Sequence, residues 1–324
     1  MRTGTSQQGQ KQAITDGSTP QLIAHRGFAG IFPENTVAAL ANAAADGRTD
    51  AVELDVVPTR DGQIVVFHDD TLARVTNAPE SIRKTNLWEL SYEQIAGYSV
   101  LGTDESIPLL SDVLDAIPPG VRVNIELKNP GCDDLPFAET LDEHALATAT
   151  DRWQDFIGRI LDTTADYDNE LLFSSFYEGA LAATREQSPA VPIASVFYDS
   201  IETGLELTER YDTEAIHLPW NMVSGTPFFN EPSPAPAPFA DVDLVGIAHD
   251  AGRQVNAWTV KTWREAIGLH HAGVDGIIAD YPGVFSNLSI QETAIETPAE
   301  ADPSGPTAPA EPSGSSGPSE PTSQ

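Results

Sequence analysis

The sequence predicts an α/β protein, and within that class a closed (β/α)8 barrel. Two observations carry the prediction. Short apolar, β-branched runs alternate with segments of helical period from residue 20 to residue 290. Alternating strands and helices imply a parallel sheet, and eight such units imply closure into a barrel. The second observation concerns the rival architecture, an open doubly wound sheet. No GxGxxG follows the first strand, so its usual phosphate-binding turn is missing. A chain of 324 residues is long enough for two domains, yet one barrel accounts for it as well.

The elements run in order. QLIAH (21–25) reads as the first strand. PENTVAALANAAADG (33–47) reads as a helix, with Pro33 in its first turn, Val37, Leu40 and Ala44 on one face, and Gly47 as its stop. AVELDVV (51–57) is the second strand, and QIVVFH (63–68) forms a hairpin with it across an RDG turn. SDVLDAI is a helix and VRVNIEL (121–127) the third barrel strand. The remaining five are LLFSS (171–175), IASVF (193–197), AIHL (215–218), QVNAWTV (254–260) and GIIAD (276–280). Helices over 140–166, 178–187, 201–211, 241–251 and 261–272 fill the gaps. Two connections are unusual. Residues 69–108 exceed an ordinary βα loop and form a small insertion after the second strand, with a short helix near SYEQIAG. Residues 227–243 are Pro-rich and read as a stiff, lid-like loop. Residues 1–19 read as a disordered leader, and 291–324, rich in Pro, Ser and Glu, as a disordered tail.

Seventeen basic residues against 49 acidic ones give 17 − 49 = −32. Such a charge repels nucleic acid and anionic membrane. Acids spread along the whole chain point to a protein built for high salt, where the Debye length shrinks to ~3 Å at about 1 M. Cys132 is the only cysteine, which excludes an intrachain disulfide and a Cys-based metal site. No run approaches the ~18 apolar residues of a membrane span, and the first residues lack the apolar stretch of a signal peptide. A soluble, cytoplasmic protein is expected.

In a βα barrel the site lies where the strands end. The first strand ends in His25-Arg26. The second carries Glu53 and Asp55, and the hairpin arm ends in His68-Asp69. The third carries Glu126 and Lys128, the fourth is followed by Phe176, the seventh holds Trp258, and the eighth ends in Asp280. Residues i and i+2 on a strand share a face. Glu53 and Asp55 therefore project together, and so do Glu126 and Lys128. Three carboxylates this close are costly without a cation, and all-oxygen ligands suit one hard divalent ion, Mg²⁺ or Ca²⁺. Arg26 and Lys128 suit an anionic substrate. Two histidines complete an acid/base pair. Together these parts fit phosphodiester cleavage.

HRG, PENT, ELDV, FHD, IELK, the Trp-Thr of NAWTV and GVDGIIADYP stand in the order found in glycerophosphodiester phosphodiesterases. The chain resembles that family over about residues 21–287. The resemblance implies a TIM barrel with a small insertion after the second strand. It implies Glu53, Asp55 and Glu126 on a divalent metal, His25 and His68 as general acid and base, and Arg26 and Lys128 on the substrate phosphate. The implied reaction converts a glycerophosphodiester and water to sn-glycerol 3-phosphate and an alcohol. One departure is Ala279 before Asp280, where Thr is more usual in the family.

Phe176 and Trp258 are candidates for the pocket wall. His217 is a weaker candidate for the same lining. Glu34, at the start of the predicted helix, is expected to favour the dipole and position the His25 loop. Asp280 is placed near the site in the same structural sense. Two alternatives remain: a related lipid phosphodiesterase, like phospholipase D-like or sphingomyelinase D enzymes, and a non-catalytic phosphate-binding barrel. Charge −32 without a basic amphipathic stretch counts against an anionic lipid surface.

Overall fold

A computed structural model describes residues 19–286. The leader up to residue 18, the last residues assigned to the barrel from 287, and the tail lie outside the described residues. Nine strands are described: β1 (Gln21–Ala24), β2 (Ala51–Pro58), β3 (Ile64–Val66), β4 (Arg122–Leu127), β5 (Leu171–Ser175), β6 (Ile193–Val196), β7 (Ala215–Pro219), β8 (Gln254–Val260) and β9 (Gly276–Ala279). Their order is β1-β9-β8-β7-β6-β5-β4-β2-β3, and β1 also pairs with β2, so the sheet closes. Eight strands form a parallel ring, a TIM barrel. β3 pairs antiparallel to β2 and stands outside it, as the hairpin reading expects.

The helices are α1 (Val37–Ala45), α2 (Tyr92–Ile95), α3 (Leu110–Ala116), α4 (Glu143–Thr164), α5 (Glu178–Gln187), α6 (Ile201–Arg210), α7 (Leu244–Asp250) and α8 (Trp263–His271). α1 begins four residues later than the sequence suggests. Asn35 adopts a left-handed φ of 57°, which a helix cannot include, and Thr36 is the cap, accepting from the Ala39 amide at 3.2 Å. Glu34 therefore lies before the helix, in the turn, and does not serve its dipole.

One core fills the space between the ring and its helices, with Leu54, Ile125, Phe173, Trp153 and Ile277 fully buried. The insertion has its own core, in which Phe67, Leu72, Leu87, Ile95 and Ile107 pack with Val57 of β2 and Val65 of β3. The Pro-rich segment 227–243 is not a lid. Phe228 and Ala235 are fully buried, the Asn221 amide donates to the Glu231 and Ala235 carbonyls at 2.6 and 2.8 Å, and Asn230 clamps Phe239. Its aromatic side chains anchor it to the barrel wall, and none of its residues lines the central cavity.

Candidate active site

β1 ends in a tight reversal. Arg26, Gly27 and Phe28 have φ of 50°, 76° and 64°. Phe28 is buried and pins the turn. Gly27 is obligatory: a Cβ there would lie 2.7 Å from the Ala39 carbonyl carbon, in a left-handed conformation. Gly27→Ala is expected to destabilise by ~2–4 kcal/mol, from strain and overpacking together. A melting temperature within a degree of the parent would contradict this.

The reversal aims the Arg26 amide at Glu53 Oε2, 2.8 Å away. Glu53 and Asp55 face the same way from β2, and Asp55 is paired in register with Glu126 on β4. One oxygen from each of Glu53, Asp55 and Glu126 lies within 4.8 Å of the others. Burial, and then the charges of Asp55 and Glu126, push the Glu53 carboxyl well above its ordinary range. Burial would raise Asp55 too, but Lys128 and Arg26, each 3.1 Å away, hold it far below. The Asn35 amide adds a 2.8 Å bond to Asp55 Oδ2. Lys128 also pairs with Glu126. Burial would depress the Lys128 ammonium, but Asp55 and Glu126 outweigh it and raise its pKa.

A metal ion fits this donor set. Glu53 Oε1 is buried with no hydrogen-bond partner among the described residues. An unbonded buried carboxylate oxygen is costly. Three oxygen donors beside it are the chemistry of a hard divalent cation.

Each histidine has a carboxylate behind it. Asp280 Oδ1 lies 2.6 Å from His25 Nδ1, and Asp69 Oδ1 lies 2.6 Å from His68 Nδ1. Both rings thus keep Nε2 for other partners. Burial lowers the His25 pKa, against the opposing hydrogen bond from Asp280. Arg74, from the insertion, bridges Asp69 and Glu34, and Glu34 in turn holds Arg26 at 2.9 Å. Glu34 therefore acts through ion pairs.

These groups surround a cavity of about 480 Å³. His25, Arg26, Glu53, His68, Glu126 and Lys128 line it, as do Phe176, Trp258 and His217. Asp55, Glu34 and Asp280 do not; they reach it through the residues they hold. Phe176 and Trp258 meet edge to face at 5.9 Å. Burial pushes His217 down to about 3, and Asn256 engages its Nε2 at 3.1 Å, so it serves as a neutral wall. Sequence reasoning missed Arg74, Asn35, Asp70, Phe137, Tyr177 and Tyr198. Only Asn35 carried a signal, as a residue that tolerates left-handed backbone just before a helix cap.

A TIM barrel that gathers acid/base groups, cations and a carboxylate nest at its strand ends is the architecture of a phosphoric diester hydrolase. The model of the glycerophosphoryl diester phosphodiesterase family matches residues 25–284, and the chain belongs to that family. A glycerophosphodiester phosphodiesterase of Bacillus altitudinis is 27% identical over 271 residues, covering 81% of this chain and 95% of that one. Lysophospholipase D GDPD1 of Rattus norvegicus is 29% identical, covering 80% and 83%. Among solved structures, an Oleispira antarctica phosphodiesterase in complex with the product sn-glycerol-3-phosphate superposes with a TM-score of 0.66 at 26% identity, covering 84% of this chain and 97% of that one.

Proposed function

We propose that the protein hydrolyses glycerophosphodiesters to sn-glycerol 3-phosphate and the free alcohol, using one divalent cation, Mg²⁺ or Ca²⁺, and two histidines. The observation that carries this is the buried Glu53–Asp55–Glu126 nest, with its unbonded Glu53 oxygen, lying between two imidazoles and two cations. The product held by the Oleispira relative supports the same cleavage. Glu53, Asp55 and Glu126 would hold the ion, which supplies Lewis-acid polarisation of the phosphate. Arg26 and Lys128 bind and orient the phosphate, and their pairing with Asp55, Glu34 and Glu126 keeps both charged in a half-closed site. His25 and His68 move the protons at Nε2, with Asp280 and Asp69 fixing the rings. The test is product analysis on a panel of glycerophosphodiesters. Release of sn-glycerol 3-phosphate is expected; release of glycerol and the other phosphomonoester, or no release, would overturn the reading.

A second reading, action on lysophospholipids, has one observation in its favour. Ile31, Tyr281 and Trp263 are 51%, 38% and 48% exposed. They follow β1, β9 and β8, three neighbours in the ring, at the end where the cavity opens. Hydrolysis of a long-chain lysophospholipid with a KM far below that of its glycerophosphodiester would establish this reading.

The acidic composition supports function in high salt. Repulsion within a chain of charge −32 grows as the Debye length lengthens from ~3 Å at 1 M to ~10 Å at 0.1 M salt. The melting temperature is expected to fall steeply over that dilution. A flat melting temperature would refute the high-salt reading.

A further inference from the structure

Phe137 is a large apolar side chain left 39% exposed at the lip of the cavity, on the connection between β4 and α4. It is not loose. Its ring stacks on Phe176 at 4.9 Å and meets the rings of Tyr177 and Tyr198 edge to face at 5.5 and 5.4 Å. The Ala138 amide donates to the Phe176 carbonyl at 3.3 Å and ties the loop to the end of β5. All four rings line the cavity, on the side opposite Ile278 and Thr259. An aromatic held this firmly yet left open is a wall awaiting a ligand.

Asp70 lines the same cavity. Apart from Glu53, which belongs to the carboxylate nest, the other acids around the site are spoken for: Asp69 and Glu34 by Arg74, Asp55 and Glu126 by Lys128, Asp280 by His25 and Lys261. Asp70 makes no ion pair with Lys or Arg among the described residues, and its side chain accepts only a long bond, 3.4 Å, from the Asn129 amide. Burial, and then the charge of Asp70, push the Tyr177 phenol up, against the opposing charge of Lys128. Carboxylate, rings and phosphate-side lysine line one cavity, with the lysine 5.8 Å from the Phe176 ring centre.

Ring faces and edges around a free carboxylate recognise an organic cation, above all a quaternary ammonium. A neutral polyol can stack its C–H bonds on the rings but gains neither a cation–π contact nor an ion pair with Asp70. An anionic alcohol meets the uncompensated Asp70.

We propose that this wall, Phe137, Tyr177, Tyr198 and Asp70, is a subsite for the departing alcohol that selects a cationic amino-alcohol such as choline. The proposal rests on the glycerophosphodiesterase reading above and names the alcohol that reading leaves open. The phosphate, between Lys128 and Arg26, sits beside the wall, so an alcohol carrying its cation two carbons from the ester oxygen reaches the rings.

The experiment compares two esters in one buffer: glycerophosphocholine, and its carbon isostere in which tert-butyl replaces trimethylammonium. Size and shape match, and choline's advantage as a leaving group scales parent and variants alike, so the change of the kcat/KM ratio in a variant reports recognition of the charge. The full chain is expected to favour choline by about tenfold. Asp70→Asn and, separately, Phe137→Leu are each expected to lower the ratio at least about threefold. Loss of folded protein scales both esters equally and leaves the ratio alone. A parent ratio of one or less, or a ratio unmoved in both variants, overturns the subsite while the hydrolase reading stands. Hydrolysis of neither ester overturns the hydrolase reading and the subsite with it.

Discussion

Excess chelator is expected to abolish turnover, and Mg²⁺ or Ca²⁺ to restore it. The expectation comes from the carboxylate nest. Glu53 is buried beside Asp55 and Glu126, and the first effect of that burial is to push its carboxyl well above the usual range. Ionising it therefore costs the metal-free protein stability. The sign follows from linkage: a raised folded pKa means that the folded state binds more protons, so stability falls as pH rises through that pKa. In chelator, the melting temperature should decline as pH climbs above the ordinary carboxylate range. Glu53→Gln removes the charge and keeps the shape, so it should flatten this decline. With saturating cation the pattern inverts. At a hundredfold excess over Kd the parent gains about 2.7 kcal/mol, and Glu53→Gln gains much less. Turnover of Glu53→Gln or Glu126→Gln should fall by at least about 10². Full activity in excess chelator would sink the metal assignment.

The barrel was legible because its two periods are carried by ordinary residues. Val52, Leu54 and Val56 alternate with Glu53 and Asp55 on β2, and both sets are buried, the first in the outer core and the second in the ring. That pattern shows in sequence as an apolar run interrupted by acids, and it exposed the nest directly. The pairing of His25 with Asp280 was not legible as a bond. The two lie 255 residues apart, and they meet only because β1 and β9 are neighbours in a closed ring. Arg74 sits in an insertion without helical or strand period, so nothing in the sequence aimed it at Glu34 and Asp69. The start of α1 was misplaced because Pro33 suits a first turn, while the backbone at Asn35 overrules it. The Pro-rich segment misled for a different reason. Proline suggested stiffness and exposure, but Phe228 and Phe239 bury, and hydrophobic burial decides where a loop lies.

The second large effect is expected at the histidines. Each general acid or base is worth about 10² to 10⁴ in rate, so His25→Ala and His68→Ala should each cost at least that. Folding and cation binding should survive, since neither imidazole belongs to the carboxylate nest. The roles follow from environment. Burial lowers the His25 pKa, which favours its neutral form, and Asp280 holds Nδ1 so that Nε2 can accept. On this ground we propose His25 as the base and His68 as the acid. A base works when deprotonated, so rate should fall as pH drops through the His25 pKa, and that limb should lie below the ordinary imidazole range. The alkaline limb belongs to the acid, and the two limbs together report the pair. A p-nitrophenyl ester supplies a leaving group that needs no proton, so it should partly rescue His68→Ala and leave His25→Ala slow. Rescue of His25→Ala instead would reverse the roles. The double variant should be little slower than the slower single, because the two groups serve one step. If either single variant keeps near-normal turnover on the natural ester, the two-histidine mechanism is wrong, although the chain still belongs to the family.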